Sequence, residues 1–374
     1  MKLIKKILMI LTSIVVALIL IVFLFMQQAQ FGSKPKDERL SRIEKSQHWK
    51  GKKFENLEFT PDLTPGYSYW DILKKQVTGK SDRSKPEHPI PNKKTDLKSI
   101  DPEEDVLVWF GHSSYYLQIS GVKILMDPVF SGSASPLPSS IQSFDGTDIY
   151  TVDDFPDIDY ILISHDHYDH LDYKTIKEFQ PKTSQVIVGL GVGAHFERWG
   201  YQKNQIIETD WWEKLSLKNN LILYTCPTRH FSGRGFTRNN TLWQSYLLEQ
   251  QQGLKIYLGG DSGYGAHFKE INQRYGGVDL AILDNGQYND AWKAIHMHPD
   301  QVIQAAQDLN ARYLFPVHSS KFVLALHAWD EPLNRTSALA EQNNIPLFTP
   351  VLGSKTDLNR LEHNFPKWWE GIDD

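Results

Sequence analysis

Ile163–Asp172 reads ISHDHYDHLD, with three histidines and three aspartates in ten residues directly behind the apolar run YILI. On a strand, His165 and His167 share a face, because alternate side chains point the same way. Asp169 and His170 follow. A turn into a helix at LDYKTIKEF then swings them toward the same point, so one short segment can serve two metal ions. Imidazole and carboxylate donors without thiolate suit zinc, ahead of iron or manganese. An ordinary helix cap accounts for one aspartate but not for three histidines in six positions.

Working outward, short apolar runs recur after Asp105: VLVWF, YYLQI, VKILMD, YILISH, QVIVGL, LILYTCP, SYLLEQ, KIYLGGD, LAILDN and RYLFPVH. Helical segments lie between them at DYKTIKEFQ, AHFERWG, GAHFKEINQRYG and PDQVIQAAQDLNA, the last with Pro299 near its start. Strands outnumber helices, and the early strands lie a Ser-Gly turn apart. The pattern predicts antiparallel sheets covered by helices, built as one domain over 105–374. His230, Asp261 and His318 each end an apolar strand, where layered folds carry their functional groups, and they complete a candidate metal set.

The 374 residues are 40% hydrophobic, enough for a sizeable core. A formal charge of -5 gives no reason to expect nucleic acid as a partner. Cys226 is the only cysteine, which excludes an intramolecular disulfide and a thiolate zinc ribbon. At the N-terminus Lys2, Lys5 and Lys6 precede twenty uncharged, mostly apolar residues, 7–26, about 30 Å as a helix. QQAQFG lacks an A-x-A cleavage pattern, so 1–26 reads as an uncleaved single-pass anchor. The flanking lysines place the rest on the extracytoplasmic side of the cell membrane, with Lys34, Lys36 and Arg39 reducing the asymmetry. Residues 27–104 are polar and rich in Lys and Pro, and read as a stalk and irregular arm. The aromatics of that arm suggest that its later half packs on something.

With these residues in view, the sequence resembles the metallo-β-lactamase superfamily, whose H-x-H-x-D-H motif is matched by His165, His167, Asp169 and His170. Within it the chain looks most like the N-acylphosphatidylethanolamine-hydrolysing phospholipase D family. That likeness runs through WFGHSSYYLQISGVKILMDPVFS, ISHDHYDHLDY, TDWWE, PTRHFSGRG, GDSGY, HMHPDQ and PVHSSKF. The resemblance implies an α/β protein, an αββα four-layer sandwich, with two zinc ions at the sheet edge. It places His165, His167 and His230 on one zinc and Asp169, His170 and His318 on the other, with Asp261 bridging. It implies a membrane phospholipid as substrate, a metal-bridging hydroxide as nucleophile, phosphatidic acid and an N-acylethanolamine as products, and suggests a homodimer.

The same resemblance makes His296, in AIHMHP, a catalytic group near the leaving group or a phosphate oxygen; its neutral reading is a helix-entry residue. His112 and Asp127 match family motifs and are expected to support the site. Tyr168 and Tyr173 flank the ligand cluster within reach of a substrate, although tyrosines so placed are more often buried in packing. Where the phospholipase family has a Trp-Gly pair after the last zinc histidine, this chain has Ser319 and Ser320 and then Lys321, which would bring a cation toward an anionic phosphate. GLGVGAH lacks the Lys-Ser/Thr of a phosphate loop. Trp211 and Trp212 read either as core or as a membrane-facing patch. The alternative enzyme is a metal-dependent lactonase, which has no need of an anchor. The non-enzymatic alternative is a closed structural zinc site, which seven ligands for two metals do not favour.

Overall fold

The computed structural model describes residues 1–79, 81–137, 140–251 and 253–373, so the last residue of the expected domain lies outside the described residues. One sheet holds β1 (Val106–Trp109), β2 (Tyr115–Ile119), β3 (Val122–Met126), β4 (Ile158–Ile163), β5 (Thr183–Gly189) and β6 (Ile206–Thr209), closed at its β1 edge by β13 (Lys355–Asp357). The other holds β7 (Lys214–Ser216), β8 (Ile222–Cys226), β9 (Ser245–Glu249), β10 (Lys255–Leu258), β11 (Leu280–Asp284) and β12 (Tyr313–Val317) in sequential order. The helices are α1 (Lys2–Met26), α2 (Asp37–Ile43), α3 (Tyr69–Thr78), α4 (Tyr173–Phe179), α5 (Gly193–Arg198), α6 (His267–Tyr275), α7 (Pro299–Asp308) and α8 (Glu331–Gln342).

Alternation along each strand sorts the apolar side chains into layers. Leu117, Ile124, Leu162 and Ile187 meet Leu248, Ile256, Ile282 and Phe315 between the sheets. From the same strands, Ile161, Ile163 and Val188 point outward to Ile176, Phe179 and Phe196 of α4 and α5. On the far side Ala281 and Leu283 meet Phe268 of α6 and Val302 and Ala306 of α7. The result is the expected αββα sandwich, with both faces of each sheet covered.

The sheets are mixed, which corrects the expectation of antiparallel pairing throughout. β1–β3 and β7–β10 are antiparallel, but β3 to β6 and β10 to β12 pair in parallel. Parallel neighbours need a crossover of a dozen or more residues, and the helical segments noted between the strands supply most of these crossovers. The Ser-Gly hairpin stands as read: Ser120 (φ 52) and Gly121 (φ 74) are the two positive-φ residues of a two-residue turn.

The described residues of 27–104 include segments packed on the sandwich. Ile43 of α2 and Phe54 are fully buried with Trp211, Leu242 and Trp243, so Trp211 belongs to a core cluster. Trp212 packs partly against that cluster and lies under the Arg274 guanidinium at 4.0 Å. α1 has no buried residue and is the one described helix long and apolar enough to cross a membrane.

Candidate metal centre

The strand ends converge on one point. β4 delivers His165 and His167, the segment after β8 delivers His230, β10 leads to Asp261, and β12 delivers His318. Gly259 and Gly260 make the approach possible: a Cβ on Gly259 would lie 2.4 Å from the Ile282 carbonyl oxygen, and one on Gly260 would lie 2.5 Å from the Ser164 Cβ. His112, Asp127 and His318 hold positive φ without being glycine (52°, 42° and 66°), backbone strain of the kind that gathers at functional sites.

Four of the five histidines have one nitrogen committed to an outer neighbour, which turns the other inward. His170 Nδ1 meets Asp127 Oδ2 at 2.8 Å, His318 Nδ1 meets Asp284 Oδ1 at 3.0 Å, and His230 Nδ1 meets the Ile295 carbonyl at 3.0 Å. The Ser164 hydroxyl donates to Asp127 Oδ2 at 2.6 Å, leaving its oxygen to accept from His165 Nδ1 at 3.0 Å. With the proton on the nitrogen that meets an acceptor, the lone pair falls on Nε2 in all four rings. Such outer partners fix both tautomer and ring orientation for a metal.

When these four rings are neutral, their inward nitrogens and the two carboxylates are all acceptors facing one another. His165 Nε2 lies 2.7 Å from His167 Nδ1, which lies 3.3 Å from His230 Nε2. Asp261 Oδ2 stands 3.8 Å from His165 Nε2 and 3.6 Å from His230 Nε2. Its other oxygen, Oδ1, lies 3.1 Å from His170 Nε2 and 3.2 Å from His318 Nε2. Asp169 Oδ2 completes the second group, 3.3 Å from both His170 Nε2 and His318 Nε2. Asp261 Oδ1 and His170 Nε2 are buried and make no hydrogen bond. Facing lone pairs at these distances repel unless a proton or a metal ion sits between them, and the residues fit two metal ions that share Asp261.

The electrostatics agree. Burial, reinforced by the neighbouring imidazoles, holds His165 well below its ordinary value, and burial brings His167 down to about 4, so both offer neutral rings. Burial works against charge on His170 too, but Asp261, Asp169 and Asp127 outweigh it and raise that group well above the usual range. His318 is raised in the same way by Asp261 and Asp284 against its burial. The second group therefore favours positive charge, which a divalent cation supplies.

His112 is fully buried and contacts Asp169 Oδ2 through Nε2 at 2.9 Å; it positions that carboxylate and does not line the cavity. His296 does line it, with Nδ1 held at 2.9 Å by Asp284 Oδ2, so one carboxylate orients both His296 and His318. Tyr168 is drawn elsewhere: its hydroxyl donates to the Arg234 carbonyl at 2.7 Å, and its ring lines a neighbouring cavity. Tyr173 begins α4 and packs on Trp199, away from the metal group. Lys321 is fully buried, and its ammonium donates to the Phe110 and Val129 carbonyls at 3.3 and 2.9 Å. The turn through His318 and Ser320, both at positive φ, carries Lys321 behind the site, so it does not face the cavity.

The cavity over the donors has a volume of about 300 Å³, and Leu63, Tyr69, Ile72, Phe231 and Leu324 supply much of its wall. Leu63, Tyr69 and Ile72 come from the arm, which sequence reasoning did not connect with the site. Asn56, also in the arm, exchanges two hydrogen bonds with the His230 backbone, at 2.8 and 3.1 Å. Asp284 was missed as a ligand-orienting group, although an acidic residue ending the apolar strand LAILD was a visible signal. In GLGVGAH the Gly191 and Gly193 amides donate to Glu208 Oε1 at 2.7 and 3.1 Å, so an internal carboxylate occupies the place a phosphate would need.

A family model described as Beta-lactamase superfamily domain matches residues 123–319. An uncharacterized protein of Mycobacterium tuberculosis is 34% identical over 339 residues, 87% of this chain and 88% of that protein. The mitochondrial N-acyl-phosphatidylethanolamine-hydrolyzing phospholipase D of Saccharomyces cerevisiae is 34% identical over 266 residues, 66% of this chain and 54% of its own length. Among solved structures, CmlA, a diiron beta-hydroxylase from Streptomyces venezuelae, superposes with a TM-score of 0.53 at 18% identity over 69% of this chain and 55% of that one. That likeness extends to the fold alone.

Proposed function

The chain belongs to the β-lactamase superfamily and is a metal-dependent hydrolase, and from that premise we propose that it is a membrane-anchored phosphodiesterase that cleaves phospholipids in the phospholipase D sense. N-acylphosphatidylethanolamine is the proposed substrate, and two zinc ions held by the seven donors are the proposed cofactors. α1 is the proposed single-pass anchor, with the rest of the chain on the extracytoplasmic side. The observation that carries this reading is the pairing of a polar donor cluster with an apolar cavity wall in a chain that begins with a membrane-length helix.

When bound, the zinc ions would neutralise phosphate charge and lower the pKa of water. The protein's own groups do the rest. The apolar wall excludes bulk water and receives hydrocarbon, and Asp284 holds His296 Nδ1 so that the lone pair of the neutral ring lies on Nε2. In the net reaction a water oxygen bonds to phosphorus and the bond from phosphorus to the head-group oxygen breaks. His296 Nε2 takes the proton that water loses and returns it to the leaving alcohol.

The test is incubation of the detergent-solubilised full-length protein with a phospholipid panel, with and without chelator, following phosphatidic acid by mass spectrometry. Chelator-sensitive phosphatidic acid from an N-acylphosphatidylethanolamine is the expected result. A zinc-loaded, folded sample that cleaves no lipid and opens lactones instead would replace this reading with the lactonase.

A further inference from the structure

Beside the metal cavity lies a second one of about 480 Å³, and α1 forms part of its wall through Val22, Phe25 and Met26. Facing the helix are Tyr168, Phe231 and Phe236 of the globular part. Phe231 and Arg238 line both cavities, so the two spaces meet across those two side chains. The Arg238 guanidinium lies 4.6 Å over the Phe231 ring and pairs with Asp62 at 3.6 Å, which puts a cation at the junction.

The segment that directly follows α1 is seated on α5 and on the loop after His230. Trp199 Nε1 donates to the Ala29 carbonyl at 2.8 Å, Arg234 Nε to the Gln30 carbonyl at 2.9 Å, and the Ser33 amide to His195 Nδ1 at 2.9 Å. His195 in turn meets Asp166, the residue between the metal-type ligands His165 and His167, at 3.1 Å. Phe31 stands edge-on to both Phe25 and Tyr168. Gly32 permits this fit: at φ +70 a Cβ would lie 2.0 Å from His195 Nδ1.

The apolar length of α1, with no buried residue, calls for hydrocarbon around it. With α1 in a bilayer, the space between its last turns and the globular part would border that same hydrocarbon. Leu137 and Phe236, 50% and 85% exposed, extend the apolar surface past the cavity rim, where water would penalise both. A membrane acyl chain matches the wall chemistry, and a chain lying there meets the donor cavity at Arg238 and Phe231.

We propose that α1 is a wall of the substrate site: one acyl chain of a membrane phospholipid lies between α1 and the Phe231–Phe236 segment while its phosphate meets the donor cluster beside Arg238. This rests on the phospholipase reading above and adds that the anchor contacts the substrate. An unrelated membrane helix would tether the protein equally well but would not rebuild this wall.

The test compares palmitoyl and hexanoyl N-acylphosphatidylethanolamines as substrates of the full-length protein in nanodiscs. Val22→Trp narrows the cavity, whereas Leu11→Trp adds the same side chain where α1 does not line it. The expected result is that Val22→Trp raises KM for the palmitoyl substrate about tenfold more than for the hexanoyl one, equivalent to losing the burial of about two methylenes. Leu11→Trp should alter neither. Equal effects on the two chain lengths, or equal effects of the two variants, would overturn the proposal. A second readout is independent of turnover: a palmitoyl phosphatidylcholine carrying a diazirine on its chain, in vesicles, should label Tyr168 and Phe231, and Val22→Trp should suppress that labelling. Labels confined to α1, or crosslinks between the α1 helices of two copies, would overturn it even if no lipid is hydrolysed. Labelling without hydrolysis would instead preserve the cavity and count against the enzymatic reading.

Discussion

The donor cluster and the cavity under α1 share Phe231 and Arg238, yet they are held in different ways. In the cluster nearly every atom is fixed by a second group: Asp127 orients His170, Asp284 orients His318 and His296, and His112 holds Asp169. The cavity depends on one helix end docked by main-chain carbonyls and a few ring contacts. The first arrangement tolerates little change, because removing one buried partner leaves another charged group uncompensated. The second can vary in shape without disturbing the donors, which separates chemistry from lipid selectivity.

The largest effect that separates the two regions is expected from Asp261→Ala. Loss of the shared carboxylate should lower turnover by roughly three orders of magnitude, as loss of a charge-stabilising group does at a dry site, while circular dichroism stays native. Activity within tenfold of the parent would break the account of the cluster. Asp284→Ala should cost about 10–100-fold in activity or zinc affinity, because both His318 and His296 lose the partner of Nδ1. A loss of kcat with unchanged zinc affinity would sharpen the assignment toward His296.

Lys321 tests the region behind the cluster. Burial lowers its pKa from 10.5 to about 8, so between those values the folded chain binds fewer protons than the unfolded one. A penalty of up to ~3 kcal/mol therefore applies below pH 8 and is relieved as pH rises toward 10.5. Denaturant midpoints should climb across that window in the parent protein more than in Lys321→Met. Identical pH profiles would contradict the buried ammonium. The smallest effect belongs to the cavity: Tyr168→Phe deletes one hydrogen bond to the Arg234 carbonyl and should cost about 1 kcal/mol of stability, with donor-cluster activity retained.

What was legible in the sequence follows from how local each signal is. The convergent donor group could be picked out because strand-ending histidines and aspartates stand out against apolar runs, as in ISHDHYDHLD and YLFPVHSS. The sandwich could be read from the strands, but their direction could not, because nothing local to YILIS distinguishes a parallel neighbour from an antiparallel one. β7 and β13, each three residues long, and α8 in EPLNRTSALAEQ escaped notice because their apolar content is low and their partners are distant in sequence. Lys321 was misplaced because two positive-φ residues that are not glycine, His318 and Ser320, reverse the chain without a turn signature. The arm's part in the cavity was invisible for a related reason. Tyr69 and Ile72 meet His230 and His318 only across more than a hundred residues of chain.

The most direct test of the central claim, that these seven side chains form one two-metal site, is metal stoichiometry. Full-length protein purified without chelator and loaded with zinc should hold two equivalents, and Asp261→Ala should hold one or fewer with its fold intact. Two equivalents retained in Asp261→Ala, or none bound by the parent protein, would contradict it.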